Sequence, residues 1–182
     1  MTMKIEDRNG RKIEYFGMPQ DKFDALTEMV NTCLKEKPFA LVCITGNKGV
    51  GKTTLGKLMR KHGFGPFSPK DIAVIDDDCM SVDILFFLRR KYVNPCYGVD
   101  ELEPFFRYCK KKKVRIYVKS NPESRISQAD ILLKTHISDD KRKARLINRY
   151  GKEKGERVFD QTQSYNDQAR ITFRYELSAE IQ

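Results

Sequence analysis

Eight consecutive residues, from Gly46 to Thr53, fit the spacing G-x-x-x-x-G-K-[ST]. Glycines in this spacing let backbone N–H groups close around phosphate oxygens, while Lys52 can reach the β- and γ-phosphates of a nucleotide. The Thr53 hydroxyl can ligate Mg²⁺. The pattern therefore predicts a phosphate-binding loop with these nucleotide-binding residues: Gly46, Asn47, Lys48, Gly49, Val50, Gly51, Lys52, Thr53 and Thr54.

The segments on either side of this loop favour the same interpretation. Residues 39–44 are a continuous apolar run ending at Thr45, which is typical of a buried parallel strand. Residues 54–63 place Leu55 and Met59 on one helical face and end at a glycine. The loop is therefore predicted to join a strand to a helix N-terminus, where the helix dipole also favours phosphate.

Three carboxylates, Asp76, Asp77 and Asp78, follow a second predicted buried strand at 71–75. The carboxyl ends of strands in open α/β sheets face the ligand crevice, where carboxylates can orient Mg²⁺ or accept a proton. Asp76 and Asp78 point to the same side if the strand continues, so both are candidate catalytic residues. Asp76 is also a candidate metal ligand beside Thr53. The alternative is that these residues cap the next helix.

Three arginines, Arg142, Arg145 and Arg149, lie on one face of a predicted helix. Guanidinium groups match the charge that a transferring phosphoryl group spreads over its oxygens, so all three are candidate catalytic residues. The alternative is an ordinary basic helix surface, in a chain with 35 lysines and arginines. No N-K-x-D segment follows the loop, which disfavours a guanine-specific switch protein.

Together, the loop, the acidic strand end and the arginine row resemble the P-loop kinases of small molecules, which include uridine kinase, adenylylsulfate kinase and the nucleoside monophosphate kinases. The stretch from Ile75 to Asp78 is similar to the adenylylsulfate-kinase pattern hydrophobic-Asp-Gly-Asp, with Asp77 where glycine is usual. Residues 140–149 resemble the D-x-R-x-x-R-x-x-x-R lid helix of uridine kinase.

The resemblance covers about residues 39–150. It implies a five-stranded parallel core, a mobile lid that carries arginines, and ATP with Mg²⁺. One departure stands out: Val118 is followed by Lys119, Ser120 and Asn121, where the family usually places an acidic residue that supports the metal.

Alternation of strands and helices predicts an α/β fold, which the resemblance specifies as a three-layer P-loop NTPase fold. An N-terminal hairpin with a type I′ turn at Asn9-Gly10 is expected to precede it. The predicted units are an extension at 1–37, a kinase-like domain at 38–182 and a lid around 139–155. The other predicted elements are helices at 21–35, 81–92 and 100–110, strands at 114–118, 129–137 and 170–177, and a helical stretch at 139–168 interrupted near Gly151 and Gly155.

Composition limits the compartment and the partners. Five dispersed cysteines without a C-x-x-C pair argue against a disulfide framework or zinc site and suit a reducing cytosol. The N-terminus lacks the apolar core of a secretory signal, and no apolar run is long enough for a membrane span. A formal charge of +10 favours anionic partners.

The sequence favours a cytoplasmic kinase that transfers the γ-phosphoryl group of ATP to a small anionic or hydroxyl acceptor, such as a nucleoside or nucleotide. One alternative is a kinase of nucleic-acid ends, because of the net charge and the lysine run from Lys110 to Lys113. The other is a nucleotide-binding module without catalysis, because no carboxylate follows Val118 until Glu123.

Overall fold

The structure is a computed structural model, and it describes residues 3–6, 12–15, 17–76, 109–163 and 170–181. Its strands are β1 (Met3–Glu6), β2 (Lys12–Tyr15), β3 (Ala40–Thr45), β4 (Ile72–Asp76), β5 (Val114–Val118), β6 (Ile131–His136) and β7 (Tyr175–Glu180). Its α-helices are α1 (Gln20–Glu36), α2 (Lys52–His62), α3 (Asp139–Tyr150) and α4 (Lys152–Gln163). No helix in these ranges is long and apolar enough to cross a membrane.

Five strands form one sheet in the order β4-β5-β3-β6-β7, and every neighbouring pair is parallel. This confirms the predicted α/β class and the five-stranded parallel core. The first strand of this sheet, β3, lies in its centre and is flanked by the third and fourth strands. In the dinucleotide-binding order, by contrast, the first strand lies between the second and the fourth. The loop after β3 therefore opens at the middle of the carboxyl edge of the sheet.

Burial of β3 on both faces explains its continuous apolar sequence. On one face, Val42 and Ile44 belong to a core cluster with Leu26 of α1 and Leu55 of α2. On the other face, Cys43 belongs to a second cluster with Tyr117 and Leu132. The helix predicted at 81–92 lies outside the described residues, as does the helix predicted at 100–110 except for its last two residues, which form a turn.

The N-terminal segment contributes directly to the core, because Val30 and Cys33 of α1 are fully buried with the sheet residues. Strands β1 and β2 pair antiparallel, as expected for a hairpin. Their register pairs Ile5 with Ile13. The type I′ turn predicted at Asn9-Gly10 lies outside the described residues.

The last strand also differs from its prediction at 170–177, since β7 runs from Tyr175 to Glu180. The N–H groups of Arg174 and Tyr175 both donate to the carbonyl oxygen of Asp130 (3.1 and 3.0 Å), as in a β-bulge. Ile171 consequently packs in the second core cluster, whereas Leu177 packs in the first. A continuous strand would place both on one face.

Gly151 ends α3, as predicted, and its N–H donates to the Ile147 carbonyl at 2.8 Å. The predicted interruption at Gly155 is wrong, because this residue lies inside α4. A Cβ atom on Gly155 would lie 2.6 Å from the Cα of Ile147. Glycine at this position therefore permits α4 to fold back closely against α3.

Candidate functional site

The loop from Gly46 to Thr53 joins β3 to α2, in the predicted context. Gly46, Gly49 and Gly51 all have positive φ, at 140°, 90° and 108°. A Cβ atom on Gly46 would lie only 2.2 Å from the carbonyl oxygen of Thr135 on β6. The Thr135 hydroxyl donates to the carbonyl oxygen of Thr45 at 2.8 Å, so the start of the loop is held against β6.

Helix α2 begins at Lys52, and Gly51 at its N-cap has no side chain to cap the first turn. The first N–H groups of a helix lack intrahelical acceptors and lie at the positive end of its dipole. Lys52 adds a full charge here: it is 9% exposed, and its Nζ donates to the carbonyl oxygens of Gly46 (2.7 Å) and Asn47 (2.9 Å). The ammonium group therefore lies over the loop that the sequence assigns to phosphate.

A cleft of about 770 Å³ opens at this edge of the sheet, within the usual range of ligand pockets. It brings the predicted loop residues together with a carboxylate from β4 and two arginines from α3. The predicted site residues that line it are Asn47, Lys48, Gly49, Gly51, Lys52, Thr53, Thr54, Asp76, Arg145 and Arg149. The other predicted carboxylate, Asp78, lies outside the described residues.

Arg142 is placed differently from its two neighbours, and it does not line the cleft. Only 1% of it is exposed, its Cζ lies 4.1 Å from the centre of the Phe159 ring, and its Nη1 donates to the Thr162 hydroxyl at 3.0 Å. Its Cγ would lie 3.4 Å from a Cβ atom on Gly49. Arg142 therefore joins α3 to α4 behind the wall of the cleft, in contrast to the prediction that all three arginines face phosphates.

Arg145 and Arg149 are exposed and line the cleft. The Nη1 of Arg145 donates to the carbonyl oxygen of Val50 at 3.0 Å, which links α3 to the loop between β3 and α2. The Cζ of Arg149 lies 5.3 Å from the centre of the Tyr150 ring. Two guanidinium-bearing residues of α3 thus line the cleft, and one of them is bonded to the loop.

Several lining residues were not predicted as site residues. Lys119, Ser120 and Asn121 follow β5 directly, and Gln161 and Thr162 belong to α4. The position of the first three after a parallel strand was a usable signal, because the carboxyl ends of such strands meet at one edge. The contribution of α4 had no comparable signal, since it depends on the reversal of the chain at Gly151.

The donor set fits a nucleotide bound with Mg²⁺. The loop supplies backbone N–H groups and Lys52, while Thr53 and Asp76, which carry a hydroxyl and a carboxylate, line the same cleft. Oxygen ligands of this kind, completed by phosphates and water, suit Mg²⁺. In the described part of the chain, no group of three or more His, Cys, Asp or Glu residues could hold a metal by itself.

Comparison with protein-family models gives no match for this chain, and comparison with curated proteins gives none either.

Proposed function

We propose that the protein is an ATP-dependent kinase with a P-loop NTPase fold, which phosphorylates a small molecule. The observation that carries the proposal is the shared cleft, in which Lys52, Thr53, Asp76 and Arg145 line one space of about 770 Å³. The central position of β3 and the helix N-terminus after its loop support the same assignment.

In this proposal, the loop backbone and Lys52 hold the β- and γ-phosphates, and Thr53 with Asp76 holds Mg²⁺. The bound metal would neutralise charge on the phosphate oxygens. Arg145 and Arg149 add positive charge where a transferring phosphoryl group spreads its negative charge. The hydrogen bond from Arg145 to the carbonyl oxygen of Val50 ties the first of these cations to the loop itself.

The transfer joins an acceptor oxygen to the γ-phosphorus and breaks the bond from that phosphorus to the β–γ bridging oxygen, with ADP as the leaving group. The proton of an acceptor hydroxyl passes to the carboxylate of Asp76, the last residue of β4, or to that of Asp78. Closure of α3 and α4 over the cleft would exclude water, which is the competing acceptor.

The position of the lysine run favours a small acceptor over a nucleic-acid end. The carbonyl oxygen of Lys113 accepts from the N–H of Ala40, at the start of β3. This places the run at the amino edge of the sheet, and the length of β5, roughly 15–20 Å, separates it from the cleft. The run therefore gives no support to a nucleic-acid strand entering the cleft.

The test is transfer from γ-labelled ATP to a panel of nucleosides, nucleotides and phosphorylated metabolites, with Lys52→Ala as the inactive control. We expect labelled product that the variant does not form. Tight binding of Mg·ATP without transfer to any acceptor would instead favour the non-catalytic nucleotide-binding module.

A further inference from the structure

A group of lysines lies at the amino edge of the sheet, at the opposite end of the strands from the cleft. One lysine precedes β4, and the run of four lysines leads into β5. Because β4 and β5 are neighbouring parallel strands, these two segments begin side by side. Together they form the lysine corner, which comprises Lys70, Lys110, Lys111, Lys112 and Lys113.

Hydrogen bonds hold the two segments of the lysine corner together. The N–H of Val114 donates to the carbonyl oxygen of Asp71 at 3.0 Å, and the Lys112 Nζ donates to the carbonyl oxygen of Lys70 at 2.6 Å. Within the run, the Lys112 N–H donates to the carbonyl oxygen of Cys109 at 2.8 Å. These bonds hold the backbone of the corner in place, so its charges are concentrated in one small region.

Little negative charge accompanies the lysine corner. Asp71 is the only acidic residue in positions 37–75, and positions 104–122 contain none. The Lys113 Nζ lies 3.7 Å from one carboxylate oxygen of Asp71, which is the corner's one ion pair within the described residues. The other oxygen accepts from the N–H and the hydroxyl of Ser68, at 3.0 and 2.7 Å. One carboxylate, already shared with Ser68, therefore accompanies five ammonium groups.

The lysine corner is accessible to a partner. Lys70, Lys110 and Lys111 are exposed, as is 61% of the Lys113 side chain. Ammonium groups that lie close together repel one another, and an anionic partner relieves this repulsion. A single phosphate group carries only about −1.5 to −2 charges at pH 7. Five lysines therefore match a chain of phosphates better than one phosphate.

Two features favour nucleic acid over the other large anionic partners. All five cations are lysines, which bind phosphates as point charges but are depleted at protein–protein interfaces, where arginine is enriched. Proteins that lie on a membrane surface also bury apolar side chains in it. Beside the corner, in contrast, the large apolar side chains of the described residues are buried in the protein: Phe64, Phe67, Ile72 and Val114.

We propose that the lysine corner binds the phosphodiester backbone of a nucleic acid. Contacts to phosphates position a protein without reading the base sequence, so this binding is independent of sequence. Because the length of β5 separates the corner from the cleft, the nucleic acid is a partner that localises the protein and is not the substrate of the cleft. The inference therefore does not depend on the proposed kinase function.

The test follows the fluorescence anisotropy of labelled oligonucleotides of about 20 nucleotides between about 50 and 200 mM salt. Single-stranded RNA, single-stranded DNA and duplex DNA are the three arms, and the tightest of them identifies the form that the corner prefers. We expect Lys110→Gln/Lys111→Gln to bind at least about tenfold more weakly than wild type at the lowest salt, with a salt slope smaller by about 1–2. Lys110→Arg/Lys111→Arg keeps both charges and should bind as wild type.

The matched control is Lys141→Gln/Lys152→Gln, which removes two exposed charges from α3 and α4 and should bind as wild type. Equal weakening in the two glutamine variants would mean that only net charge matters, and would overturn the lysine corner as a site. Saturating Mg·AMP-PNP should leave the oligonucleotide affinity unchanged, whereas competition would place the nucleic acid in the cleft and overturn the proposal. Absence of oligonucleotide binding at about 50 mM salt would also overturn it, whether or not vesicles of anionic lipid bind.

Discussion

The Arg142 guanidinium donates to the Thr162 hydroxyl at 3.0 Å, and this contact joins the two helices that form one wall of the cleft. Thr162 in turn donates to the carbonyl oxygen of Val158 at 2.7 Å, so Arg142 is tied to the backbone of α4 through one hydroxyl. Nη2 of Arg142 is buried without a hydrogen-bond partner in the described structure. The Arg142 side chain is therefore closely packed, but one of its buried N–H donor groups has no hydrogen-bond acceptor.

Loss of the Arg142 side chain should weaken the packing of α3 against α4. Arg142→Ala leaves a cavity against Phe159 and removes the bond to Thr162, so we expect it to lower the free energy of unfolding by about 2–4 kcal/mol. Arg142→Met should cost less, because it keeps a long apolar stem and removes the unpartnered donor. Urea unfolding measures both.

Arg149→Ala is the control for Arg142, since Arg149 is exposed on the same helix. It should change the free energy of unfolding by no more than about 0.5 kcal/mol. Equal losses for Arg142→Ala and Arg149→Ala would show that burial of Arg142 contributes nothing to α3–α4 packing.

The burial of Arg142 also shows where sequence reasoning about the site ends. The convergence of Asp76 with Lys52 was predictable, because Asp76 ends one parallel strand and Lys52 follows another, and the carboxyl ends of such strands meet. The spacing of the arginines places them on one helical face, but it carries no information on what covers that face. Here α4 returns over α3 and buries Arg142, while Arg145 and Arg149 stay exposed.

The strand boundaries likewise divide into those that the sequence predicts and those that it does not. Strands β3, β4 and β5 begin and end within one residue of their predicted bounds, because each is built mainly from apolar residues. The predicted bounds of the last strand were wrong, since the alternation of apolar and polar residues in the sequence continues unchanged through the bulge at Arg174 and Tyr175. Periodicity reports which residues share a face only where the strand is regular.

Gly155 gives a second prediction on the cleft wall. Alanine in a helix interior is usually favoured over glycine by about 1 kcal/mol. At this position a Cβ atom would lie 2.6 Å from Ile147 Cα, so steric overlap should dominate. We expect Gly155→Ala to lower the free energy of unfolding by about 1–3 kcal/mol, measured in urea.

The exposed residue Arg157 on the same helix provides the comparison, and Arg157→Ala should change stability by no more than about 0.5 kcal/mol. A Gly155→Ala variant more stable than wild type would mean that helix propensity outweighs the contact with α3.

The surface ion pair between Arg174 and Glu36 should make part of the protein's folding stability depend on pH. Arg174 donates to both carboxylate oxygens of Glu36, at 2.5 and 2.8 Å. The side-chain hydrogen bond from Arg174 lowers the pKa of Glu36. A carboxyl group with a lowered folded-state pKa stabilises the fold above its unfolded pKa, and that contribution is lost as pH falls through the folded pKa.

Glu36→Gln should therefore lower Tm at pH 6, and the difference from wild type should disappear as pH falls below about 4, near the usual glutamate pKa. Tm measured at pH 3–6 at low salt checks this, and Arg174→Gln should behave alike. A Tm difference that does not change across this pH range would point to packing rather than charge.

Lys52 gives the most direct prediction for the cleft. Its Nζ is held over the loop by the carbonyl oxygens of Gly46 and Asn47. In the proposed function this ammonium binds the β- and γ-phosphates, so its removal should weaken triphosphate binding by at least about tenfold. We expect Mg·AMP-PNP to raise the Tm of the wild-type protein and of Lys57→Ala, an exposed change on the same helix. The same addition should leave the Tm of Lys52→Ala nearly unchanged. Equal Tm increases in Lys52→Ala and Lys57→Ala would place the nucleotide away from this loop, and would remove the basis for phosphoryl transfer in this cleft.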